Sequence, residues 1–234
     1  MTNIALLIPS TTKGKNWKNI EDSFFYKIFI PSFIKIINDK YTYKIFLGYD
    51  QDDTLLRRIE NHEICKDLLK NDNVQIEFIK LNVPKGHLSK MWNILFKKAY
   101  DDNYDYFYQC GDDIEFNNSM QIFDLSIENL KKKNNIGVSG PYTTNGKRTI
   151  LTQSFVSRKH MDIFGFYFPE EIKNWYVDDW MSEIYEPDYF SPISNNKIKN
   201  SGGRVRYEIK RDYNWKKFVI LYKKNLNTYL ITNK

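Results

Sequence analysis

The chain has few of the residues that build disulfides and thiol-rich metal centres. Its 234 residues include two cysteines, Cys65 and Cys110, and three histidines. One cysteine falls in a predicted helix and the other in a predicted strand, so the pair indicates neither a disulfide framework nor a cysteine-rich metal site. We therefore expect a protein of a reducing compartment.

Long apolar runs are also missing. No stretch approaches the roughly 18 apolar residues that a membrane-spanning helix needs. The N-terminal segment MTNIALLIPS has an apolar run of about five residues and no basic leader, which is typical of a strand and not of a signal peptide. These absences predict a cytoplasmic protein with no membrane span.

Basic residues are not gathered into one patch. The formal net charge is +6, from 35 Lys and Arg against 29 Asp and Glu. The compact basic run at residues 131–133 comes at a predicted helix end, where cations complement the helix dipole. Nucleic acid is therefore not an expected partner, although a moderately basic surface attracts ligands that carry phosphate.

The first 116 residues alternate between strand and helix patterns. Aliphatic and aromatic runs predict strands at residues 3–9, 43–50, 74–81 and 104–110. Apolar residues at helical spacing predict helices over residues 21–38, 51–70 and 84–100. The first of these contains Pro31, which is expected to kink or split it, and Asp52 and Asp53 are expected to cap the second. This order predicts a Rossmann-like α/β sheet, with ligands at the carboxyl ends of its strands.

After Phe116 the regular alternation stops. The sequence then predicts one helix within residues 117–135, two strands joined by the turn TTNGKR, and short helices between about 157 and 190. The two strands are IGVSGPY and RTILTQSFVS. The segment at residues 207–225 fits either an edge strand or a helix.

Two adjacent acids, Asp112 and Asp113, follow the fourth predicted strand in the stretch DYFYQCGDDIEF. Neighbouring carboxylates repel each other unless a cation lies beside them. Hard oxygen ligands favour Mg²⁺ or Mn²⁺, which typically bridge to substrate phosphates. The pair therefore indicates a nucleotide diphosphate site, and the alternative is that it only caps a turn.

The third predicted helix begins near the same edge of the sheet. Gly86, Lys90 and Asn93 lie on its polar face, and a helix N-terminus attracts phosphate. We predict that these residues contact the nucleotide; a solvated helix face is the alternative.

A second acidic pair, Asp178 and Asp179, lies in the stretch NWYVDDWMSEIY. Trp175 and Trp180 flank it, and their rings offer flat apolar surfaces for the C–H face of a sugar. The alternative is that the acids cap the helix that follows. Further along, the loop NSGGRVRY is predicted to bring Arg204 or Arg206 to a diphosphate, whose oxygens an arginine binds through paired N–H groups. The alternative is an ordinary hairpin loop.

The run PKGHLSKMWNILFKKAYDDNYDYFYQCGDDIEF resembles the nucleotide-sugar half of GT-A glycosyltransferases. In that family a loop glycine, a helix with an inward asparagine and a hydrophobic strand ending in a D-x-D type motif form the donor site. The resemblance covers roughly residues 3–190. The chain also resembles glycosyltransferase-like proteins of large DNA viruses, and that resemblance implies the host cytoplasm as its location. It implies one GT-A domain over residues 1–234, with a donor half at 1–116 and an acceptor half at 117–234.

The resemblance also implies a reaction and roles for the residues. The donor is a nucleotide diphosphate sugar, UDP-linked by preference, and a glycan or other molecule supplies the acceptor hydroxyl. Because Gly111 stands where the family has its first acid, Asp113 is the implied ligand of Mn²⁺ or Mg²⁺ and Asp112 faces the ribose or the sugar. None of the three histidines lies in the C-terminal region where many members supply a further ligand. The implied contacts of the nucleotide base and ribose are Asp50 and the Pro9, Ser10 and Thr11 segment.

In inverting members a late carboxylate deprotonates the acceptor. Here that likeness indicates Asp179 as the base, with Asp178 in reserve and Trp175 and Trp180 holding the acceptor. Two alternatives are a sugar-phosphate nucleotidyltransferase and a non-catalytic carbohydrate- or nucleic-acid-binding module. The first predicts a Gly-rich, Arg-containing loop after strand one, which IPSTTKGKNW is not. The second predicts clustered bases with interleaved aromatics and gives no reason for Asp113.

Overall fold

Eight strands form one mixed sheet in the part of the chain that the structure describes. The structure is a computed structural model, and it describes residues 1–117, 121–144, 149–203 and 206–233. The strands are β1 (Thr2–Ser10), β2 (Tyr41–Asp50), β3 (Val74–Leu81), β4 (Tyr106–Gln109), β5 (Ile114–Glu115), β6 (Val138–Thr143), β7 (Ser154–Ser157) and β8 (Phe190–Asn200). Their spatial order is β3-β2-β1-β4-β7-β6-β8-β5.

Helices cover both faces of this sheet. They are α1 (Ile30–Phe33), α2 (Ile59–Leu69), α3 (Leu88–Asp101), α4 (Ile122–Lys131), α5 (Lys159–Phe164), α6 (Val177–Tyr185) and α7 (Lys216–Thr232). No helix in the described ranges is both long enough and apolar enough to cross a membrane.

The central strand is buried on both sides. In β1, Ile4, Leu6 and Ile8 point into a core shared with α1, α2 and α4, while Ala5 and Leu7 point into a core shared with α3, α5, α6 and α7. Burial on alternate faces is expected of a strand between two helix layers. The predicted α/β sheet flanked by helices is therefore confirmed, and the described residues form a single compact domain.

The order of the strands creates a switch point at β1. The chain passes from β1 to β2 and β3 on one side and then crosses to β4 on the other, and all four strands are parallel. Ligands of open α/β sheets bind in the crevice at the carboxyl ends of the strands where the order reverses. This crevice lies after Ser10 in β1 and after Gln109 in β4.

The predicted helix over residues 21–38 is irregular, and Ser23, whose backbone is extended with a ψ of 153°, interrupts it after the first turn. Its turns change type along the chain, in the order 3₁₀ at Ile20–Asp22, π at Phe25–Phe29, α1, and 3₁₀ at Ile34–Ile36. Pro31 does not split the segment. Proline has no N–H to donate to the carbonyl four residues earlier. The chain continues past Pro31 because the turn directly before it is a wider π turn, which does not need that hydrogen bond.

Two features of the C-terminal half differ from the sequence pattern. The undecided segment at residues 207–225 contributes the first turns of α7 and is not an edge strand. Neither β5 nor β8 was predicted, because β8 mixes polar and apolar residues without regular alternation and β5 has only two residues. Residues 145–148 of the predicted TTNGKR turn lie outside the described residues.

His160 in α5 is enclosed by the second core. Its Nδ1 lies 2.8 Å from the Tyr185 hydroxyl and its Nε2 lies 3.0 Å from the carbonyl oxygen of Tyr167. Burial lowers the pKa of His160 to about 4, whereas an unfolded histidine titrates near pH 6.5. The neutral ring therefore stabilises the fold fully above about pH 6.5, and this contribution is lost as the pH falls toward 4.

We expect the free energy of unfolding to fall by up to ~3 kcal/mol between about pH 6.5 and pH 4 because of this residue. Urea unfolding of the wild type and of His160→Gln, measured across that range, checks it. The variant should be less stable than the wild type at pH 7 but should lose less stability on acidification. Parallel pH profiles for the two proteins would show that His160 is not the group responsible.

Candidate functional site

Asp112 joins the ends of β1 and β4. It comes three residues after β4, and its side chain is only 2% exposed. The hydroxyl of Ser10 donates a hydrogen bond to Asp112 Oδ2 at 2.6 Å. Arg206 Nη1 donates to the same oxygen at 3.0 Å, and Arg206 Nη2 pairs with Oδ1. Both carboxylate oxygens are thus engaged by groups of the chain itself.

Arg206 is held from three directions. Besides its two bonds to Asp112, Nη1 donates to the carbonyl oxygen of Thr11 at 2.7 Å. The guanidinium carbon also lies 5.0 Å from the centre of the Phe24 ring, within the range of a cation–π contact. Arg206 therefore places a cation in the crevice.

Asp113 lies beside this pair under the backbone of Gly202. Its Oδ2 is 3.9 Å from Arg206 Nη2, and a Cβ added to Gly202 would overlap the Asp113 carboxylate. Burial, and then the charge of Asp112, raise the pKa of Asp113 to about 6, although Arg206 acts in the opposite direction. Ionising both acids at once is therefore costly even with the arginine present.

The arrangement does not fit the predicted divalent cation. In the described ranges, no group of three or more His, Cys, Asp or Glu side chains is placed to hold a metal ion. Mg²⁺ demands a near-octahedral set of oxygen ligands. Asp113, the implied ligand, instead lies against the Gly202 backbone with its Oδ2 3.9 Å from Arg206 Nη2, and both oxygens of Asp112 are bonded to Arg206.

Asp53 ties the loop after β1 to the end of β2. It is fully buried and accepts hydrogen bonds from the backbone N–H of Thr12 at 2.7 Å and from its hydroxyl at 2.6 Å. The same carboxylate accepts the backbone N–H groups of Leu55 and Leu56 at 3.1 and 2.9 Å. Asp53 thus caps a turn and not α2, which begins at Ile59, so the predicted helix cap is corrected.

A cavity of about 210 Å³ lies at the carboxyl ends of β2 and β3. Asp50, which the resemblance assigns to the base or ribose, lines it together with Asn82 and Lys85. Lys13 Nζ lies 3.2 Å from Asp50 Oδ2 and also pairs with Asp52. The wall therefore offers charged and amide groups beside the loop that follows Ser10. Pro9, by contrast, is buried within β1.

Two residues predicted to contact the nucleotide from α3 lie elsewhere. Asn93 is buried. Its Oδ1 accepts hydrogen bonds from the backbone N–H groups of Tyr167 at 3.0 Å and Phe168 at 2.9 Å. Its Nδ2 donates a hydrogen bond to the carbonyl oxygen of Phe168 at 2.8 Å. Lys90 is 41% exposed, 4.0 Å from Glu170. Asn93 holds a loop and Lys90 faces solvent, so we do not retain either as a nucleotide ligand.

Gly86 belongs to a junction built around Asn174. The side-chain Nδ2 of Asn174 donates hydrogen bonds to the carbonyl oxygens of Gly86 at 2.6 Å and Glu208 at 3.0 Å. Its Oδ1 accepts hydrogen bonds from the backbone N–H groups of Trp175 at 2.8 Å and Lys210 at 2.9 Å. Gly86 has a φ of 79°, and a Cβ there would lie 3.2 Å from the Glu208 carbonyl oxygen. Asn174 thus fixes the segment that carries Arg206; no motif in the sequence marks it.

Asn174→Ala is expected to lower the free energy of unfolding by about 3 kcal/mol, because buried groups left without partners cost about 1–3 kcal/mol each. Urea unfolding measures the change. Asn227→Ala, on the exposed surface of α7, is the matched control and should stay within about 0.5 kcal/mol of the wild type. A loss below about 1 kcal/mol in Asn174→Ala would contradict the junction described.

The second acidic pair lies in the first turn of α6. The N-cap position is Tyr176, with a φ of 74°, a left-handed conformation that costs energy in a large residue and is found at functional sites. Asp178 and Asp179 therefore do not occupy the cap position. Burial, followed by the charge of Asp179, raises the pKa of Asp178 well above its usual range, which favours its protonated form.

The two tryptophans next to this pair have different environments. Trp180 is fully buried, and its ring centre lies 5.6 Å from that of Phe164 and 6.0 Å from that of Phe166. A sugar cannot reach it, so its predicted role in acceptor binding is corrected. Trp175 is partly exposed, with the guanidinium carbon of Arg211 4.7 Å from its ring centre, and it stays a candidate.

Tyr207, the residue after Arg206, interacts electrostatically with both acidic pairs. Burial, and then the charge of Asp178, raise the pKa of Tyr207 to about 12. A hydrogen bond with the Trp175 side chain lowers this pKa, and the charge of Asp113 raises it further. Tyr207 is therefore within electrostatic reach of both pairs. Arg204, predicted to bind the diphosphate, lies outside the described residues, and Arg206 of the same loop is the arginine seen at the site.

No protein-family model matches the chain, and a search of curated proteins finds no match to it. The family is therefore not shown, and the function has to be argued from the site.

Proposed function

We propose that the protein is a GT-A-type glycosyltransferase, which moves a sugar from a nucleotide diphosphate sugar, UDP-linked by preference, to an acceptor hydroxyl. One observation carries the proposal. In the crevice where the strand order reverses, four polar side chains meet, namely Ser10, Asp112, Asp113 and Arg206. This is the place where open α/β sheets bind nucleotides. The parallel order β3-β2-β1-β4 supports the same assignment.

The cavity beside the crevice supports a site for the nucleoside. Asp50 and Asn82 supply hydrogen-bonding groups for a base or ribose, and Ser10 and Thr11 lie on the adjoining strand end. Arg206 then faces the diphosphate, since a guanidinium binds phosphate oxygens through paired N–H groups.

Asp179 is the better of the two candidate bases. A general base has to be ionised before it takes a proton from the acceptor. Burial, and then the charge of Asp179, raise the pKa of Asp178 well above its usual range, which favours its protonated form and makes Asp178 the poorer base of the two. We therefore assign proton abstraction to Asp179 and acceptor positioning to Trp175, for a glycan or another hydroxyl compound. Inversion at the sugar carbon stays a prediction. The use of Mn²⁺ or Mg²⁺ is not part of this proposal, because Arg206 is bonded to both oxygens of Asp112.

Thermal unfolding with a panel of nucleotide sugars tests the proposal. A donor at about 100 times its dissociation constant stabilises the folded state by about 2.7 kcal/mol, which raises the midpoint by roughly 5–10 °C for a chain of this size. Asp50→Ala is expected to reduce that rise. Lys97→Ala, at an exposed site on α3, should leave it unchanged. If no nucleotide sugar moves the wild-type midpoint, the proposed function is wrong.

A further inference from the structure

The first acidic pair already has a cation beside it. Two carboxylates at the end of a strand need a positive neighbour to be ionised together, and the Arg206 guanidinium is bonded to both oxygens of Asp112 and lies 3.9 Å from Asp113. The Arg206 side chain is 12% exposed. This pairing therefore occurs largely out of water, where the attraction is least screened.

The surroundings fix Arg206 in this position. The Thr11 carbonyl and the Phe24 ring hold it from the β1 side, and the Gly202 backbone covers Asp113. An arginine stays charged at every physiological pH, and its planar fork matches a carboxylate. A divalent ion held by both acids would have to displace the guanidinium from Asp112, and one held by Asp113 alone would lie beside the positive charge of Arg206.

We infer that Arg206 supplies the positive charge of the donor site in place of a divalent metal, so that a nucleoside diphosphate binds without one. This inference rests on the proposed function for the identity of its ligand. The described contacts use three of the N–H groups of Arg206, out of the five that a guanidinium offers. The remaining N–H groups are the donors expected to bind phosphate oxygens.

Binding of Mn²⁺ alone tests the inference without any assay of activity. The electron paramagnetic resonance signal of free Mn²⁺ is followed while the ion is titrated into wild type, R206Q, and the double variant R206Q/D112N. We expect the wild type to bind more weakly than about 1 mM, near the weak limit of carboxylate cation sites. R206Q should bind at least 10-fold more tightly, and the double variant should lose that gain.

K199Q is the matched control, because Lys199 is an exposed cation paired with Glu115 near the end of β8. It should behave as the wild type does. Mn²⁺ binding to the wild type below about 0.1 mM, or no gain in R206Q, would overturn the inference. If R206Q does not fold, R206K replaces it. Because lysine keeps the positive charge, R206K should bind Mn²⁺ as weakly as the wild type does, and binding at least 10-fold tighter than the wild type would overturn the inference.

Thermal unfolding with UDP separates this inference from the proposed function. Equal midpoint shifts in EDTA and in Mn²⁺ support the role of Arg206. A shift that requires Mn²⁺ overturns that role and leaves the transferase proposal standing. If UDP and the nucleotide sugars give no shift under either condition, the proposed function fails, while the Mn²⁺ titrations still decide whether Arg206 excludes the metal.

Discussion

Replacing Arg206 with methionine is expected to lower the free energy of unfolding by about 3–5 kcal/mol, because removing one member of a buried ion pair leaves the other charge without a partner. Here the stranded charge is that of Asp112, whose side chain is 2% exposed. Among the side chains of the described residues, Ser10 would remain as its hydrogen-bond donor. Urea unfolding at pH 7 measures the loss.

A double-mutant cycle makes this prediction specific. Asp112→Asn removes the buried charge but keeps an oxygen that accepts the Ser10 hydroxyl, so we expect Arg206→Met/Asp112→Asn to regain more than half of the stability that Arg206→Met loses. Lys199→Met breaks an exposed pair with Glu115 and should cost no more than about 1 kcal/mol. Equal losses in Arg206→Met and Lys199→Met would contradict a buried pair.

Replacing Asp179 with asparagine is expected to reduce sugar transfer by about 10²–10⁴-fold, the usual contribution of a general base. Donor binding should be unchanged, because Asp179 is assigned to the acceptor. The rate is measured as release of nucleoside diphosphate from the donor that stabilises the protein most. Thermal shifts with that donor provide the control for binding.

Asp178→Asn is the matched variant for this prediction. Burial and the neighbouring charge raise the pKa of Asp178 well above its usual range. A raised pKa favours the protonated form, and asparagine has nearly the same shape as a protonated aspartate. We therefore expect Asp178→Asn to lower the rate by less than about 10-fold. A larger loss in Asp178→Asn than in Asp179→Asn would reverse the assignment of the base.

Local patterns were sufficient to predict the framework of the site. The spacing of Leu88, Met91, Trp92 and Leu95 predicted α3, and these residues pack toward the core. The run at residues 104–110, apolar on both faces, predicted β4, with the two acids at its carboxyl end. Both inferences succeed because burial imposes a regular period on the residues of a helix or strand.

The partner of the acids could not be identified in the same way. Arg206 and Asp112 are separated by 94 positions in the chain, and no local pattern connects residues that far apart. The expectation of a metal came from the charge of the acids considered without the loop NSGGRVRY. That loop was recognised as able to reach a diphosphate, but its contact with Asp112 depends on β8, whose irregular sequence gave no strand signal.

The burial of Trp180 could have been predicted. Val177, Trp180, Met181 and Ile184 are spaced as one face of a helix, and all four are buried in α6. An aromatic residue within such a stripe belongs to the core more often than to a ligand site. Trp175 precedes the helix and is outside that pattern, which explains why only one of the two tryptophans is still a candidate for sugar binding.

Where a nucleotide sugar binds is the most direct test of the central claim. Amide chemical shifts of the labelled protein, recorded by nuclear magnetic resonance during titration with a UDP-sugar in EDTA, locate the ligand. We predict the largest changes at Ser10, Thr11, Asp50 and Gly111, around the carboxyl ends of β1, β2 and β4. No change at saturating ligand, or changes confined to the groove that Lys97 and Gly165 line beside α3, would contradict the account.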